Sequence, residues 1–148
     1  MKRFDAIIIG AGAAGLFCAG VAAQRGLQIL LIDHSPKLAE KIRISGGGRC
    51  NFTNRDLDVR APHKHFLGDN PAFCRSALSR YTPQDFVVLM QKHRIAFVEK
   101  HKGQLFCERS AGDLIDMLWR ECQSGAAGGS VTLWQPCAVH AVRHRDAS

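Results

Sequence analysis

The sequence predicts an α/β fold with a parallel β-sheet, and two observations support that prediction. The first is the order of three segments: the β-branched run "FDAIIIG", the alanine-rich run "AAGLFCAGVAAQR" and the apolar run "LQILLID". Strand, helix and strand in this order are what a parallel crossover requires. The second is a glycine-rich turn where the first strand meets the helix. We expect both strands to be buried, because parallel sheets are usually covered on both faces.

The turn has the spacing G-x-G-x-x-G, which between a strand and a helix is typical of a Rossmann-like dinucleotide-binding fold. Gly10 permits the tight turn, Gly12 lets the backbone approach a pyrophosphate, and Gly15 lets helix and strand pack closely. The first helical residues, Ala13 and Ala14, offer N–H groups and the positive end of the helix dipole to the phosphates. The alternative is a glycine-rich turn in an unrelated α/β protein.

An acidic residue, Asp33, ends the second predicted strand. Its carboxylate can accept hydrogen bonds from both ribose hydroxyls of an adenosine and would repel a 2′-phosphate, which disfavours NADP at this site. We place the neighbouring His34 in the same expected cofactor site.

Three further helices are expected. They cover residues 71–81, residues 82–94 and residues 110–125. Thr82 is the predicted N-cap of the second of these, and Ser110 is the predicted N-cap of the third.

The remaining strands are expected in the second half of the chain. Residues 95–108 resemble a β-hairpin with its turn near Gly103, and residues 131–134 and 138–144 are two further strand candidates. Residues 54–70 show no clear periodicity and are predicted to be loop.

Composition limits the classes of function. Of 148 residues, 46% are hydrophobic, which is enough for one domain with a core. The net charge of +7 comes from scattered cations without a basic run, so it suits phosphate-bearing ligands and argues against a nucleic-acid partner.

Cysteine usage favours a reducing compartment. None of the six cysteines forms a C-x-x-C pair, so we expect neither a zinc site nor a redox dithiol, and the cytoplasm is the expected location. The uncharged run over residues 6–23 mimics an export signal or a membrane span, but Asp5 beside it and the glycines within it argue against both. No metal site is expected at His63 and His65, which lack a third ligand at sensible spacing.

The stretch "ISGGGRCNFTN", residues 44–54, combines three consecutive glycines with polar side chains. Glycines let the backbone approach a flat ring or a phosphate without Cβ clashes, and the polar groups around them can donate hydrogen bonds. A nicotinamide cofactor needs no second glycine-rich loop here, whereas the long ribityl arm and polar ring edge of a flavin suit one. The sequence therefore favours FAD, bound non-covalently because no flavin-attachment motif is present.

Three strings together, "DAIIIGAGAAGL", "LLIDHSPKLAEKIRISGGGRCNFTN" and "GQLFC", resemble the BaiN-like (YhiN-like) group of NAD(P)/FAD-dependent oxidoreductases. The resemblance implies that FAD is bound by the glycine turn, by Asp33 and by Lys41, with the backbone near Val139 at the adenine. It also implies that a second loop contacts FAD, comprising Ser45, Gly46, Gly47, Gly48, Arg49, Cys50 and Asn51.

The family resembled has a second, substrate-binding domain. The resemblance therefore implies that residues 1–148 are the N-terminal part of a Rossmann-like FAD-binding domain. It also implies that the C-terminal portion and the separate substrate domain are absent from this chain. Where many relatives carry Glu, this chain has Asp33, which is also an acceptor.

The resulting hypothesis is an FAD-dependent oxidoreductase in which NAD(P)H reduces the flavin and a small molecule is the acceptor. The alternatives are a truncated, inactive fragment and a flavin-dependent RNA-modifying or nucleic-acid-binding protein. No side chain is an obvious catalytic acid or base, so catalytic residues stay unassigned. Arg49 would lower the pKa of a neighbouring thiol, but without a resolving cysteine we expect a packing role for Cys50. The oligomeric state is not predicted.

Overall fold

A computed structural model describes residues 2–143. These residues form two compact units, one made of residues 2–43 and 115–143 and the other of residues 44–114. The first unit contains the glycine turn and Asp33, and the second contains the glycine triplet.

Eleven regular elements form the described chain, apart from four short 3₁₀ segments. They are β1 (Ala6–Ile9), α1 (Ala13–Gln24), β2 (Gln28–Ile32), α2 (Glu40–Ile44), β3 (Asn51–Asn54), α3 (Arg75–Arg80), α4 (Pro83–Lys92), β4 (Phe97–Glu99), β5 (Gln104–Cys107), α5 (Ala111–Gln123) and β6 (Ser130–Trp134). Within residues 2–143, no helix has both the length and the apolar character that crossing a bilayer requires.

The first unit contains the predicted parallel sheet. Its strand order is β1-β2-β6, and Leu31 of the central strand pairs with Ile8 on one side and Leu133 on the other. Both pairings are parallel, which confirms the strand–helix–strand crossover and the Rossmann-type α/β fold.

Helix α1 packs against the later part of α5. Leu16 and Gly20 are buried, and the Sγ of Cys122 donates to the Leu16 carbonyl oxygen at 3.3 Å. A Cβ on Gly20 would lie 3.3 Å from the Glu121 carbonyl carbon, so glycine permits this close approach of the two helices. Burial raises the pKa of Cys122 to about 11, so its thiol stays protonated at neutral pH.

The expectation that both first strands are buried is wrong for β1. Four of the five β2 residues are buried, but Ile7 and Ile9 of β1 are 60% and 58% exposed. Strand β1 is an edge strand of the described sheet, and the face that carries these two side chains is uncovered. The run of isoleucines predicted the strand correctly but could not reveal which of its faces would be covered.

The second unit is built on an antiparallel sheet with the order β3-β5-β4. The predicted hairpin of residues 95–108 is confirmed, since β4 and β5 pair with Phe97 opposite Cys107. The sequence did not predict β3, in which Phe52 is the one apolar side chain among three polar residues. Its register against β5 shifts between Asn51 and Thr53.

The caps predicted for two helices are confirmed. Asp85 N–H donates to Thr82 Oγ1 at 3.2 Å, and Thr82 N–H donates to Asp85 Oδ2 at 2.7 Å, which is a capping box at the start of α4. The helix expected over residues 71–81 begins as the 3₁₀ segment Pro71–Cys74 and continues as α3. At α5, Gly112 N–H donates to Ser110 Oγ at 3.1 Å.

The strand expected over residues 138–144 does not form in its described part, residues 138–143. Apolar side chains recur there, but Val139 and Val142 are 39% and 80% exposed, and no described strand pairs with the segment. Alternating apolar residues indicate a strand only where a covered face and a pairing edge exist. The last residue of the expected strand, His144, lies outside the described residues.

Candidate dinucleotide-binding site

The turn after β1 has the backbone geometry that the glycine spacing predicts. Gly10 has a φ of +102°, and its N–H donates to the Ile32 carbonyl oxygen at 2.7 Å, which ties the turn to the end of β2. A Cβ on Gly15 would overlap the Gly10 carbonyl oxygen. Gly15 is therefore required for the helix to pack against the turn.

Gly12 faces open space. It is the N-cap residue of α1 with extended backbone, and a Cβ placed on it would meet no atom within 4 Å. The first turn of α1 contains no acidic residue, and Ala13 and Ala14 are exposed. The N-terminal N–H groups and the positive end of the helix dipole therefore face a region that an anionic group can enter.

Asp33 has a structural role that sequence reasoning missed. Its Oδ2 accepts the Ala11 N–H at 2.6 Å and its Oδ1 accepts the Ser35 N–H at 2.7 Å, with 12% of the side chain exposed. The carboxylate thus links the glycine turn to the segment after β2. Each oxygen keeps lone-pair capacity for a further donor. His34 Nδ1 lies 3.8 Å from Asp33 Oδ1, and its side chain is 85% exposed.

A cleft of about 420 Å³ opens beside the turn. Its lining combines the turn, the end of β2 and the start of α2: Gly10, Ala11, Gly12, Asp33, His34, Ser35, Ala39, Glu40 and Lys41. The structure therefore brings Lys41 to the predicted turn and carboxylate. It also adds Glu40, whose Oε2 is buried without a hydrogen-bond partner in the described structure. No sequence pattern singled out Glu40, because its place at the cleft depends on where α2 lies.

A second cleft, of about 320 Å³, adjoins the first at Gly10, Asp33 and His34. It is also lined by Ile9, Ile32, Cys137, Ala138 and Val139. The Cys137 N–H donates to the Asp33 carbonyl oxygen at 2.7 Å, which holds the segment with Val139 next to the end of β2. This placement is compatible with the expected position of Val139 at the adenine, and the binding role stays a prediction.

The glycine triplet of the second unit adopts left-handed backbone throughout. Gly46, Gly47 and Gly48 have φ of 57°, 66° and 82°. A Cβ on Gly46 would lie 2.8 Å from the Phe106 ring, whereas Gly47 and Gly48 have no atom within 4 Å of an added Cβ. Gly46 is thus needed for packing inside the unit. The other two leave the outer side of the loop free.

Cys50 closes this loop and is buried. It has a φ of 51°, and its N–H donates to the Ser45 carbonyl oxygen at 3.1 Å. The adjacent Arg49 is exposed, and its carbonyl oxygen accepts the Cys107 N–H at 2.9 Å. Burial, with Cys50 nearby as the second cause, raises the pKa of Cys107 to about 11. The 6% exposure of Cys50 agrees with the expected packing role.

The described residues contain no cluster of three or more His, Cys, Asp or Glu side chains that could hold a metal ion. His65, considered as a ligand in the sequence, instead accepts the Asp58 N–H with its Nε2 at 3.2 Å. The absence of a metal from the protein stays a prediction.

Comparison with known proteins identifies relatives of nearly the whole chain. Residues 4–147 match the family model described as "HI0933-like protein Rossmann domain". The ribosomal RNA dihydrouridine synthase of Escherichia coli K12 is 55% identical over 125 residues, which are 84% of this chain and 30% of the relative. The enzyme of the same name from Haemophilus influenzae is 46% identical, over 82% of this chain and 29% of the relative.

A more distant relative is the 3-dehydro-bile acid delta(4,6)-reductase of Clostridium scindens. It is 34% identical over 76 residues, which are 50% of this chain and 18% of the relative. The chain thus spans less than a third of the length of these relatives.

Solved structures share the fold at low sequence identity. The glycine oxidase of Bacillus cereus superposes with a TM-score of 0.56 and 16% identity, over 97% of this chain and 50% of that one. This similarity is evidence for a Rossmann-type α/β fold and for nothing finer.

Proposed function

The chain belongs to the HI0933-like Rossmann-domain family, and from that premise we propose that it is the FAD-binding part of a flavoenzyme that reduces uridine in ribosomal RNA to dihydrouridine. The family is a Rossmann-type family of FAD-binding flavoproteins with oxidoreductase relatives. The observation that carries the proposal is the open N-terminus of α1 beside a cleft lined by Asp33, in a chain 55% identical to a ribosomal RNA dihydrouridine synthase.

Each part of the first unit suits one part of an adenine dinucleotide. The α1 N-terminus, behind the open Gly12, suits the pyrophosphate, because its N–H groups and dipole favour anions. The carboxylate of Asp33 suits ribose hydroxyls, and the cleft at Val139 suits an apolar base. Lys41 is exposed at the first cleft and adds a positive charge there.

The glycine triplet suits the flavin ring. Gly47 and Gly48 carry no Cβ atoms, and an added Cβ would meet no atom within 4 Å, so a flat ring can lie against their peptide groups. When bound, FAD supplies two-electron reducing chemistry. Conversion of uridine to dihydrouridine consumes two electrons and two protons across one carbon–carbon double bond, and NAD(P)H is the proposed source of the electrons.

One observation favours RNA over a small molecule as the substrate. Identity is 55% over 84% of the chain for the E. coli rRNA enzyme, against 34% over 50% for the bile acid reductase. The net charge of +7 does not add to this argument, because its cations are scattered and form no basic run. Reduction of a small unsaturated molecule is the second candidate, supported by the bile acid reductase.

A chimera tests the proposed substrate. The segment of the E. coli relative that matches this chain is replaced by the chain, and the product is expressed in cells lacking the native enzyme. We expect mass spectrometry of ribosomal RNA to show restored dihydrouridine, with no signal from a matched Gly12→Val chimera. A chimera that accumulates, is yellow with bound flavin and yet leaves ribosomal RNA unreduced would contradict the RNA assignment.

A further inference from the structure

The loop that contains the glycine triplet, residues 46–48, is held at both ends by backbone hydrogen bonds. Cys50 N–H donates to the Ser45 carbonyl oxygen at 3.1 Å, and Cys107 N–H donates to the Arg49 carbonyl oxygen at 2.9 Å. Glycine loses more conformational freedom on folding than any other residue, so three in a row are costly to order. Contacts at the glycines themselves therefore matter for the shape of the loop.

Phe106 of β5 makes such a contact at Gly46. A Cβ on Gly46 would lie 2.8 Å from Cε1 and 3.1 Å from Cδ1 of Phe106, so the glycine backbone lies directly against the edge of the ring. Phe106 is 7% exposed and pairs with Asn51 in the sheet, so the core of the second unit holds the ring in place. The ring thus restricts Gly46, which has a φ of 57° and begins the triplet.

Lys100 contacts the face of the same ring. Its Nζ lies 4.0 Å from the ring centroid of Phe106, which is within the range of a cation–π interaction. Lys100 N–H donates to the Gln104 carbonyl oxygen at 2.9 Å, which keeps the residue beside the start of β5. The contacts therefore form one series, from Lys100 to Phe106 and from Phe106 to Gly46.

We propose that Phe106, with Lys100 on its face, is a positioning residue for the flavin. The ring orders the triplet in advance, so that Gly47 and Gly48 present their peptide groups to the isoalloxazine of FAD, and neither Phe106 nor Lys100 needs to touch the cofactor. The inference rests on the proposed binding of the flavin by the triplet. A loop that is ordered in advance loses less entropy on binding, so the contact strengthens binding of the flavin half of FAD and not of the adenosine half.

The test separates the two halves of FAD by comparing dissociation constants for FAD and for ADP on the 148-residue chain. Phe106→Leu removes the ring and keeps an apolar side chain. Phe97→Leu is the matched control, because it removes a ring from the neighbouring strand β4, where Phe97 contacts Phe52 with the ring centroids 5.6 Å apart. Lys100→Gln and Lys100→Arg change the cation at an exposed position and leave the core intact.

We expect Phe106→Leu to weaken FAD binding by about fivefold to thirtyfold, which corresponds to ordering one backbone residue at the moment of binding, and to leave ADP binding unchanged. Lys100→Gln should weaken FAD binding by about twofold to fivefold, as for an exposed cation–π contact, and Lys100→Arg should bind FAD as the unaltered chain does. Phe97→Leu should leave the FAD-to-ADP ratio unchanged, even where it lowers stability.

Amide hydrogen exchange of the chain without ligand measures the order of the loop directly. Phe106→Leu should speed exchange of the Cys50 N–H by about fivefold to thirtyfold relative to the Leu105 N–H of the buried strand β5. Phe97→Leu should leave this relative rate unchanged, because a general loss of stability affects both amides.

An unchanged FAD-to-ADP ratio in Phe106→Leu would overturn the inference, whatever the exchange rates are, and would leave the proposed function standing. An equal change of the ratio in Phe97→Leu would also overturn it, because the effect would then be one of general stability. If the unaltered chain binds FAD no more tightly than ADP, the proposed role of the triplet in flavin binding is wrong, and the inference fails with it.

Discussion

Gly12 and Gly15 belong to one motif but are required for different reasons. Gly15 is required by the fold, because a Cβ there would overlap the Gly10 carbonyl oxygen. The fold does not require glycine at position 12, because a Cβ on Gly12 would meet nothing within 4 Å and its φ of −83° is open to any residue. A side chain at Gly12 would therefore disturb only what enters the space in front of α1, which makes this position a selective probe of ligand binding.

These two glycines should respond differently in an unfolding experiment. Gly15→Ala should lower the free energy of unfolding by about 1–3 kcal/mol, the usual cost of overpacking. Gly12→Ala should change it by no more than about 1 kcal/mol, since alanine is only a poorer N-cap than glycine. Urea titrations followed by circular dichroism measure both free energies of unfolding. Equal decreases for the two variants would show that the fold requires glycine equally at both positions.

At Gly47, strain and ligand contact can also be separated. With a φ of 66°, Gly47→Val should destabilise the chain by about 1–3 kcal/mol and should also block FAD. Gly47→Asn adds bulk at the same place, but asparagine tolerates left-handed backbone at lower cost. We therefore expect Gly47→Asn to unfold nearly as the unaltered chain does and still to bind FAD more weakly. Tight FAD binding by Gly47→Asn would contradict this prediction and would show that the triplet is only a structural turn.

Among the elements, α4 was the helix most completely predicted, because residues close together in sequence determine where it begins. Thr82, Pro83 and Asp85 form the cap through contacts no more than three residues apart, so the sequence determines them without the rest of the fold. Strand β3 and residues 138–143 are the opposite case. Their state depends on whether a pairing edge lies beside them, and residue patterns do not report that.

The capping box should make stability depend on pH in the acid range. The hydrogen bonds with Thr82, first through its side chain and then through its backbone, lower the pKa of Asp85 from its ordinary 3.8. A carboxyl whose pKa is lower in the folded state adds stability above its unfolded pKa and loses that contribution as the pH falls through its folded pKa. Asp85→Asn should therefore be less stable than the unaltered chain at neutral pH, with a difference that shrinks below about pH 4. A difference that stays constant from pH 7 to pH 3 would contradict the assignment.

For the whole molecule, the sequence was sufficient for the fold class and for part of the candidate site. The glycine spacing, the position of Asp33 and the helical caps are local in sequence, and the structure has them as predicted. The exposure of Ile7 and Ile9 and the unpaired oxygen of Glu40 result from how separate segments come together. Such features have no sequence pattern of their own.

The central claim is that the first unit holds the adenosine half of FAD at the turn in front of α1. Flavin fluorescence anisotropy during titration of the 148-residue chain tests it most directly. We predict saturable FAD binding that ADP competes away and FMN does not. We also predict that Gly12→Val does not bind FAD although its free energy of unfolding falls by no more than about 1 kcal/mol. Displacement of FAD by FMN but not by ADP, or tight binding by Gly12→Val, would contradict the claim.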